Sequence, residues 1–180
     1  MKLAPVVLFV YNRHGLLRAT VEALRRNDLA KESELFIFSD AARIPSHEND
    51  VAKVRKYIKK INGFKKITII ERGRNWGLAK NIIDGVSSIV NKYGRVIVVE
   101  DDLVTSRYFL RFMNEALKRY DKVPKVMHIS GYIYPINKAA LPSTFFLLGK
   151  TSCWGWATWK RAWKYFDNDD NAGNGYAFPA

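Results

Sequence analysis

Val96-Ile97-Val98-Val99-Glu100-Asp101-Asp102 reads as a buried β-strand that runs straight into three adjacent carboxylates. Four β-branched residues without polar alternation fit a strand covered on both faces. Three earlier runs share the pattern. Val6-Val7-Leu8-Phe9-Val10-Tyr11 leads into the turn Asn12-Arg13-His14-Gly15, Leu35-Phe36-Ile37-Phe38 into Ser39-Asp40, and Ile67-Thr68-Ile69-Ile70 into Glu71-Arg72. Helical periods separate the runs. Leu17, Val21 and Leu24 mark one helix. Val51, Val54, Ile58 and Ile61 mark a second, closed by Asn62-Gly63. Ala79, Ile82, Ile83, Val86, Ile89 and Val90 mark a third, ending near Tyr93-Gly94, and Tyr108, Phe109, Phe112, Met113, Ala116 and Leu117 give the buried stripe of a fourth. Strand and helix in alternation signal βαβ units: an α/β, Rossmann-like fold with a mostly parallel central sheet flanked by helices.

Beyond Tyr120 the pattern changes. Val126-Met127-His128-Ile129 and Phe145-Phe146-Leu147-Leu148 read as strands. Trp156, Trp159 and Trp163, at spacings of three and four, read as the buried stripe of a helix. The stretch from Asp167 to Ala180 is rich in Asn, Asp and Gly, shows no period, and is expected to be irregular.

The bulk properties narrow the classes. With 180 residues and 48% hydrophobic content, the chain can fold around one core. Cys153 has no second cysteine to pair with, which suits a reducing compartment. No apolar run approaches the ~20 residues of a membrane helix, and the start lacks the features of a signal peptide. The expectation is a cytoplasmic protein that can reach the inner membrane face peripherally. The net charge of +13 fits nucleic acid, anionic lipid or a phosphate-bearing substrate. The candidate lipid-facing residues are Lys53, Arg55, Lys56, Lys59, Lys60, Lys65 and Lys66. No nucleic-acid module accompanies the charge. No G-x-G-x-x-G or G-x-x-x-x-G-K-[ST] follows a strand, which counts against dinucleotide oxidoreductases and P-loop NTPases. A sugar-phosphate nucleotidyltransferase would want a Gly-rich loop after the first strand, and Asn12-Arg13-His14-Gly15 matches it poorly.

In open α/β sheets, ligands bind outside the carboxyl ends of the strands. Tyr11-Asn12-Arg13, Asp40, Glu71-Arg72 and Glu100-Asp101-Asp102 are therefore the candidates for chemistry. Three adjacent carboxylates repel one another until water, a basic neighbour or a metal offsets the charge. A hard divalent cation, Mg2+ or Mn2+, prefers oxygen ligands and keeps positions open for phosphates. The alternative is an acidic turn that caps the next helix near Thr105-Ser106. Asp40 can accept a hydrogen bond from a base or shape a turn, and Arg13 can hold phosphate or lie on the surface. Asn75-Trp76-Gly77 opens the third helix, where backbone N–H groups suit an anion; plain capping by Asn75 is the alternative. Trp154 suits the C–H face of a sugar, whereas Trp159 and Trp163 suit the core. His14, His47 and His128 are too scattered for a zinc site.

Val7 to Arg13, Ile37-Phe38-Ser39-Asp40, Arg74 to Ala79, Val98 to Leu103 and Cys153-Trp154-Gly155-Trp156-Ala157-Thr158-Trp159 resemble a prokaryotic family of glycosyltransferases of the GT-A superfamily. The acidic triplet is also similar to that of the N-acetylglucosaminyltransferase I family. The resemblance spans about Val6 to Phe166. It implies a donor site for a nucleoside-diphosphate sugar, with a UDP-sugar as the first expectation, and a glycan or lipid-linked acceptor. By position, Asp102, with Asp101, would hold the metal. Glu100, Asp101, Asp40, Tyr11, Asn12, Arg13, Asn75, Gly77 and Lys80 would surround the donor. Tyr132, Trp154, Gly155 and Trp156 would lie on the acceptor side.

An inverting transferase needs a carboxylate base, and the resemblance to the eukaryotic N-acetylglucosaminyltransferase I family implies one downstream of the Gly-Trp segment. Asp167, Asp169 and Asp170 are the candidates here, although their spacing does not single them out. The expected organisation is a nucleotide-sugar-binding domain over 1–166, cut short at its carboxyl end, with an irregular tail over 167–180. Such a chain would bind donor with slow transfer or none and would self-associate through its Trp-rich region. A basic nucleic-acid-binding module is the rival reading; it predicts steep salt dependence and indifference to Asp102.

Overall fold

A computed structural model describes residues 2–133 and 151–166. The four apolar runs form β1 (Val6–Val10), β2 (Glu34–Ser39), β3 (Lys66–Glu71) and β4 (Arg95–Glu100). The helices between and after them are α1 (His14–Arg25), α2 (Glu48–Ile58), α3 (Leu78–Tyr93) and α4 (Phe109–Arg119). Two further strands, β5 (Ile129–Ser130) and β6 (Trp156–Trp159), and the short α5 (Lys160–Trp163) complete the described residues.

The sheet runs β3-β2-β1-β4-β6-β5. The first four strands are parallel, with Val6 opposite both Leu35 and Ile97, while β6 runs antiparallel to β4 with Arg95 opposite Trp159. From β1 the chain winds outward to β2 and β3, then returns to place β4 on the other side of β1. The order therefore reverses between β1 and β4, and that crevice is the topological switch point where α/β sheets bind ligands.

Alternate residues of each central strand enter opposite cores, which explains why these strands carry no polar face. Leu8, Leu35, Ile37, Ile97 and Val99 pack with Leu17, Val21 and Leu24 of α1, Val54 and Ile58 of α2, and Leu110, Met113 and Leu117 of α4. Val7, Phe9, Phe36, Phe38, Val96 and Val98 pack on Val86, Ile89 and Val90 of α3. Each such side chain, fully buried, contributes ~1.5–3 kcal/mol relative to exposure.

Four expectations need correction. The Trp156–Trp159 spacing is not helical: these residues form β6, and helix begins at Lys160. Pairing with β4 settles the matter, since it buries Ala157 and Trp159 on one face while Trp156 joins the α3 face. Tyr108 and Phe112 lie outside the buried stripe of α4 and are exposed; Leu110 and Asn114 are buried instead. The strand expected over Val126–Ile129 shrinks to Ile129–Ser130, because Arg161 donates to the carbonyls of Tyr120, Asp121, Pro124 and Val126 and holds the preceding loop in place of a ladder. Helix α2 stops at Ile58, and Ile61 packs against the core from beyond its end. The strand expected over Phe145–Leu148 lies outside the described residues.

Candidate functional site

The switch-point crevice is where the ends of β1 and β4 meet. Asp101 is buried, its side chain 3% exposed. Its Oδ2 accepts the Tyr11 N–H at 3.3 Å, and its Oδ1 accepts from Arg13 Nη2. The other arm of the same guanidinium donates to Asp102 Oδ2 at 2.9 Å, in a pair with 45% of Arg13 and 38% of Asp102 side-chain surface exposed. The basic neighbour demanded by three adjacent carboxylates is thus Arg13. Its charge does not fully offset them. Burial pushes the Asp101 carboxyl above its ordinary range despite Arg13 and the Tyr11 N–H. Burial, then Asp102 and Asp101, push Glu100 up as well, against Arg13. Partial burial alone would lower the pKa of Arg13, but Asp101 and Asp102 outweigh it and hold it above its usual value.

The alternative reading of the triplet as a helix cap fails. In the first turn of α4, the Leu110 N–H is taken at 2.9 Å by Asn27 Oδ1, from the end of α1.

At the end of β2, Asp40 is buried (5% exposed) and fully engaged. Its Oδ1 accepts the N–H groups of Ala41 and Trp76, each at 2.9 Å, and its Oδ2 accepts Gly77 N–H at 2.9 Å and Asn75 Nδ2 at 3.2 Å. The anion expected at the start of α3 is therefore Asp40 itself. Asn75 does not cap the helix; it bonds Asp40 and the Ala41 carbonyl. Gly77 takes φ +74°, a conformation that glycine adopts at no steric cost, and this aims its N–H at Asp40. With two donors on each oxygen, Asp40 has no acceptor position left for a base unless this loop opens.

Arg55 and Arg72 brace the same edge. Arg55 Nη2 donates to the carbonyls of Arg72 at 2.7 Å and Asp40 at 3.4 Å. Arg72 bonds Asn81 Oδ1 at 2.9 Å and Asp84, and stacks on Trp76 with its guanidinium 3.9 Å from the ring centre. Lys80 lies over the same ring at 5.0 Å. The hydroxyl of Tyr11 accepts the Arg43 N–H at 2.9 Å and meets His47 Nδ1 at 2.7 Å, tying β1 to the loop after β2. Asn12, the next residue in the chain, is half-buried.

A second hollow of about 240 Å³ opens just past Asp102, lined by Leu103, Val104, Thr105, Ser106, Phe109, Gly131, Tyr132, Trp154 and Gly155. None of these residues is charged, in a chain of net charge +13. Trp154 is 45% exposed and meets the Tyr132 ring edge-on at 4.6 Å between centres. A Cβ on Gly131 would stand 2.6 Å from Phe109 and 2.7 Å from the Gly155 carbonyl oxygen, so the floor requires glycine there. Trp156 does not share this hollow: it stacks between His128 and Trp163, with ring centres 5.4 and 5.9 Å away, on the α3 face. Trp159 is buried and donates to the Leu117 carbonyl; Trp163 donates to Ser87 Oγ. The Trp-rich stretch is thus largely packed, with Trp154 as its exposed member. The base candidates Asp167, Asp169 and Asp170 lie outside the described residues.

The sequence reading missed Arg55 as a brace, His47 as the partner of Tyr11, and Phe109 beneath the glycines. Arg55, one of the candidate lipid-facing residues, instead spends its guanidinium on the Ser39, Asp40 and Arg72 carbonyls and on Glu71 at 3.8 Å. Within that set, Lys53 pairs with Asp50 and Lys59 with Glu71, while Lys56, Lys60, Lys65 and Lys66 are exposed. Among the described residues no helix is long and apolar enough to cross a membrane, and no group of three or more His, Cys, Asp or Glu converges as a metal cage.

Comparison with known proteins follows the same lines. The family described as Glycosyl transferase family 2 matches residues 6–174. Among solved structures, the Staphylococcus aureus protein TarS (residues 1–349) superposes with a TM-score of 0.54 at 17% identity, over 88% of this chain and 47% of that one. A mannosyltransferase from Pyrobaculum calidifontis, in complex with GDP-Man and Mn2+, gives 0.51 at 16% identity, over 71% of this chain and 34% of that one. No curated protein matches. The chain spans between a third and a half of these solved structures. The likeness is one of fold, the GT-A arrangement of a mostly parallel sheet between helices.

Proposed function

The chain belongs to glycosyl transferase family 2, and we propose that it binds a nucleoside-diphosphate sugar across the carboxyl ends of β1–β4. The sugar is transferred to a glycan or lipid-linked acceptor over the Trp154 hollow. The observation that carries this reading is the convergence of Arg13, Asp101 and Asp102 at the sheet's switch point, beside an uncharged hollow walled by Trp154 and Tyr132.

The donor set fits a divalent ion. Asp102 presents hard, accessible carboxylate oxygens, with Asp101 fixed behind it by Tyr11 and Arg13. One or two protein carboxylates suit Mg2+ or Mn2+, which keep most positions for phosphate and water and seldom need an all-protein cage. When bound, the metal neutralises charge on the leaving diphosphate. The Mn2+ complex of the Pyrobaculum mannosyltransferase, a protein of similar fold, supports this by analogy.

The chain's own residues do the rest. Asp40 holds the Asn75–Gly77 loop against the donor crevice and acts as a positioning residue. Tyr11, Asn12 and Lys80 border the donor, and Arg13 offers a guanidinium to its phosphates. Glu100 ends β4 beside the acidic pair. UDP is the nucleotide we favour from the sequence resemblance; GDP is the comparison.

The test is release of nucleotide from UDP- and GDP-sugars with a panel of glycan acceptors. We expect metal-dependent nucleotide binding, and release, slow as it is expected to be, that requires Mn2+ or Mg2+ and disappears in Asp102→Asn. Release that is equal in Asp102→Asn, or no binding of either nucleotide, would defeat the reading.

A further inference from the structure

Arg13 does two jobs that conflict. It neutralises the acidic pair at the switch point, and it holds one oxygen of each carboxylate, Asp101 Oδ1 and Asp102 Oδ2, where a divalent ion would approach. A guanidinium and a metal ion on the same carboxylates compete, because like charges a few ångströms apart repel by about 1 kcal/mol per unit-charge pair even in water. We propose that Arg13 is the built-in counter-cation of the metal-free site, and that it must release Asp102 before a divalent ion binds there. Metal binding is thereby tied to the arrival of a diphosphate.

The two arms of the guanidinium differ in a way that says which one yields. The Asp101 arm reaches a buried carboxylate that the Tyr11 N–H also holds, so breaking it would leave a buried charge unpaired. The Asp102 arm joins two substantially exposed groups, and exposed pairs contribute little. Arg13 can therefore pivot on Asp101 while Asp102 becomes free. Its position favours this: the side chain leaves the turn after β1, immediately before α1, and makes no capping bond to that helix. An incoming diphosphate supplies the freed arm with a new bidentate anionic partner. Without nucleotide, the ion-pair partners of Arg13 among the described residues are Asp101 and Asp102, and the arm stays on Asp102. The device weakens loading of metal alone and favours binding of donor and metal together.

This rests on the metal role of Asp102 proposed above, and the experiment separates the two. Free Mn2+ is followed by its electron paramagnetic resonance signal during titration of the full chain, without nucleotide and then with UDP. Wild type, Arg13→Gln, Arg13→Lys and Asp102→Asn are compared. We expect Arg13→Gln to take up Mn2+ alone roughly three- to tenfold more tightly than wild type, the equivalent of losing one exposed competing pair. Arg13→Lys, which keeps the charge, should stay near wild type, and UDP should tighten Mn2+ uptake less in Arg13→Gln than in wild type. Uptake of Mn2+ alone by Arg13→Gln that is equal to or weaker than wild type overturns the inference, provided Asp102→Asn still weakens Mn2+ uptake with UDP. If Asp102→Asn changes nothing, the metal role itself falls, and this inference with it. Should Arg13→Gln fail to fold, the wild-type Arg13 side-chain N–H resonances give the answer: they must shift when Mg2+ and UDP are added together, and unchanged resonances overturn the inference.

Discussion

Asp40 and Asp102 close the two strands that flank β1, yet they are neutralised in opposite ways. Asp40 is enclosed by four neutral donors, three of them backbone N–H groups that cannot leave without unfolding the loop. Asp102 faces one charged side chain that is itself substantially exposed. Neutral amides fixed by the fold make a permanent joint, whereas a solvent-exposed guanidinium makes an exchangeable one. The difference teaches where function resides in a sheet whose strand ends all carry polar groups. On the function proposed above, it resides where the charge compensation can be replaced by something from outside.

The sharpest way to break the contrast is to remove the permanent joint. Asp40→Ala strands the N–H groups of Trp76 and Gly77, and should cost about 3 kcal/mol or more of stability by urea or thermal unfolding. Nucleotide binding should fall with it. A loss below about 1 kcal/mol would mean that the loop holds itself.

Asp102→Asn is the converse, with intact stability and lost binding. The melting temperature should stay within a few degrees of wild type, because an exposed pair contributes ~1 kcal/mol or less. Metal-dependent UDP affinity should drop on the order of a hundredfold, the scale on which metal sites respond to losing a supporting group or a ligand. A variant as unstable as Asp40→Ala would erase the distinction.

A smaller effect sharpens the boundary between donor and acceptor sides. Trp154→Ala should lower acceptor-dependent kcat/KM by roughly tenfold through loss of an aromatic face, while leaving UDP affinity unchanged. Weakened UDP binding would place Trp154 on the donor side instead.

The smallest effect is in pH. Burial raises the pKa of Glu100 and Asp101, so the folded chain holds these protons more tightly than the unfolded chain. Their contribution is most favourable below the ordinary carboxylate range and declines as pH rises through the raised values. In EDTA, wild type should therefore lose stability relative to Glu100→Gln as pH rises from that range towards neutrality. A difference independent of pH would show that Glu100 titrates as it does in the unfolded chain.

Much of this was legible before the structure. The four parallel strands announce themselves because residues buried on both faces leave unbroken apolar runs, and the strand-end rule then picks out Tyr11–Arg13, Asp40 and the acidic triplet. Partnership was not legible. Nothing in local spacing tells that Asp40 meets Asn75, or that Arg13 meets Asp101 and Asp102. Arg55 was hidden among the lysines of α2, since a brace and a surface charge have the same letter. β6 was hidden because Trp156, Trp159 and Trp163 imitate a helical stripe, and pairing with β4 overrides local period.

The most direct test of the central claim, a metal-dependent nucleotide site at the end of β4, is calorimetric titration of the wild-type chain with UDP in Mn2+ and in EDTA. The account predicts saturable binding in Mn2+ that is weakened at least roughly tenfold in EDTA. Equal affinity in the two buffers would contradict it.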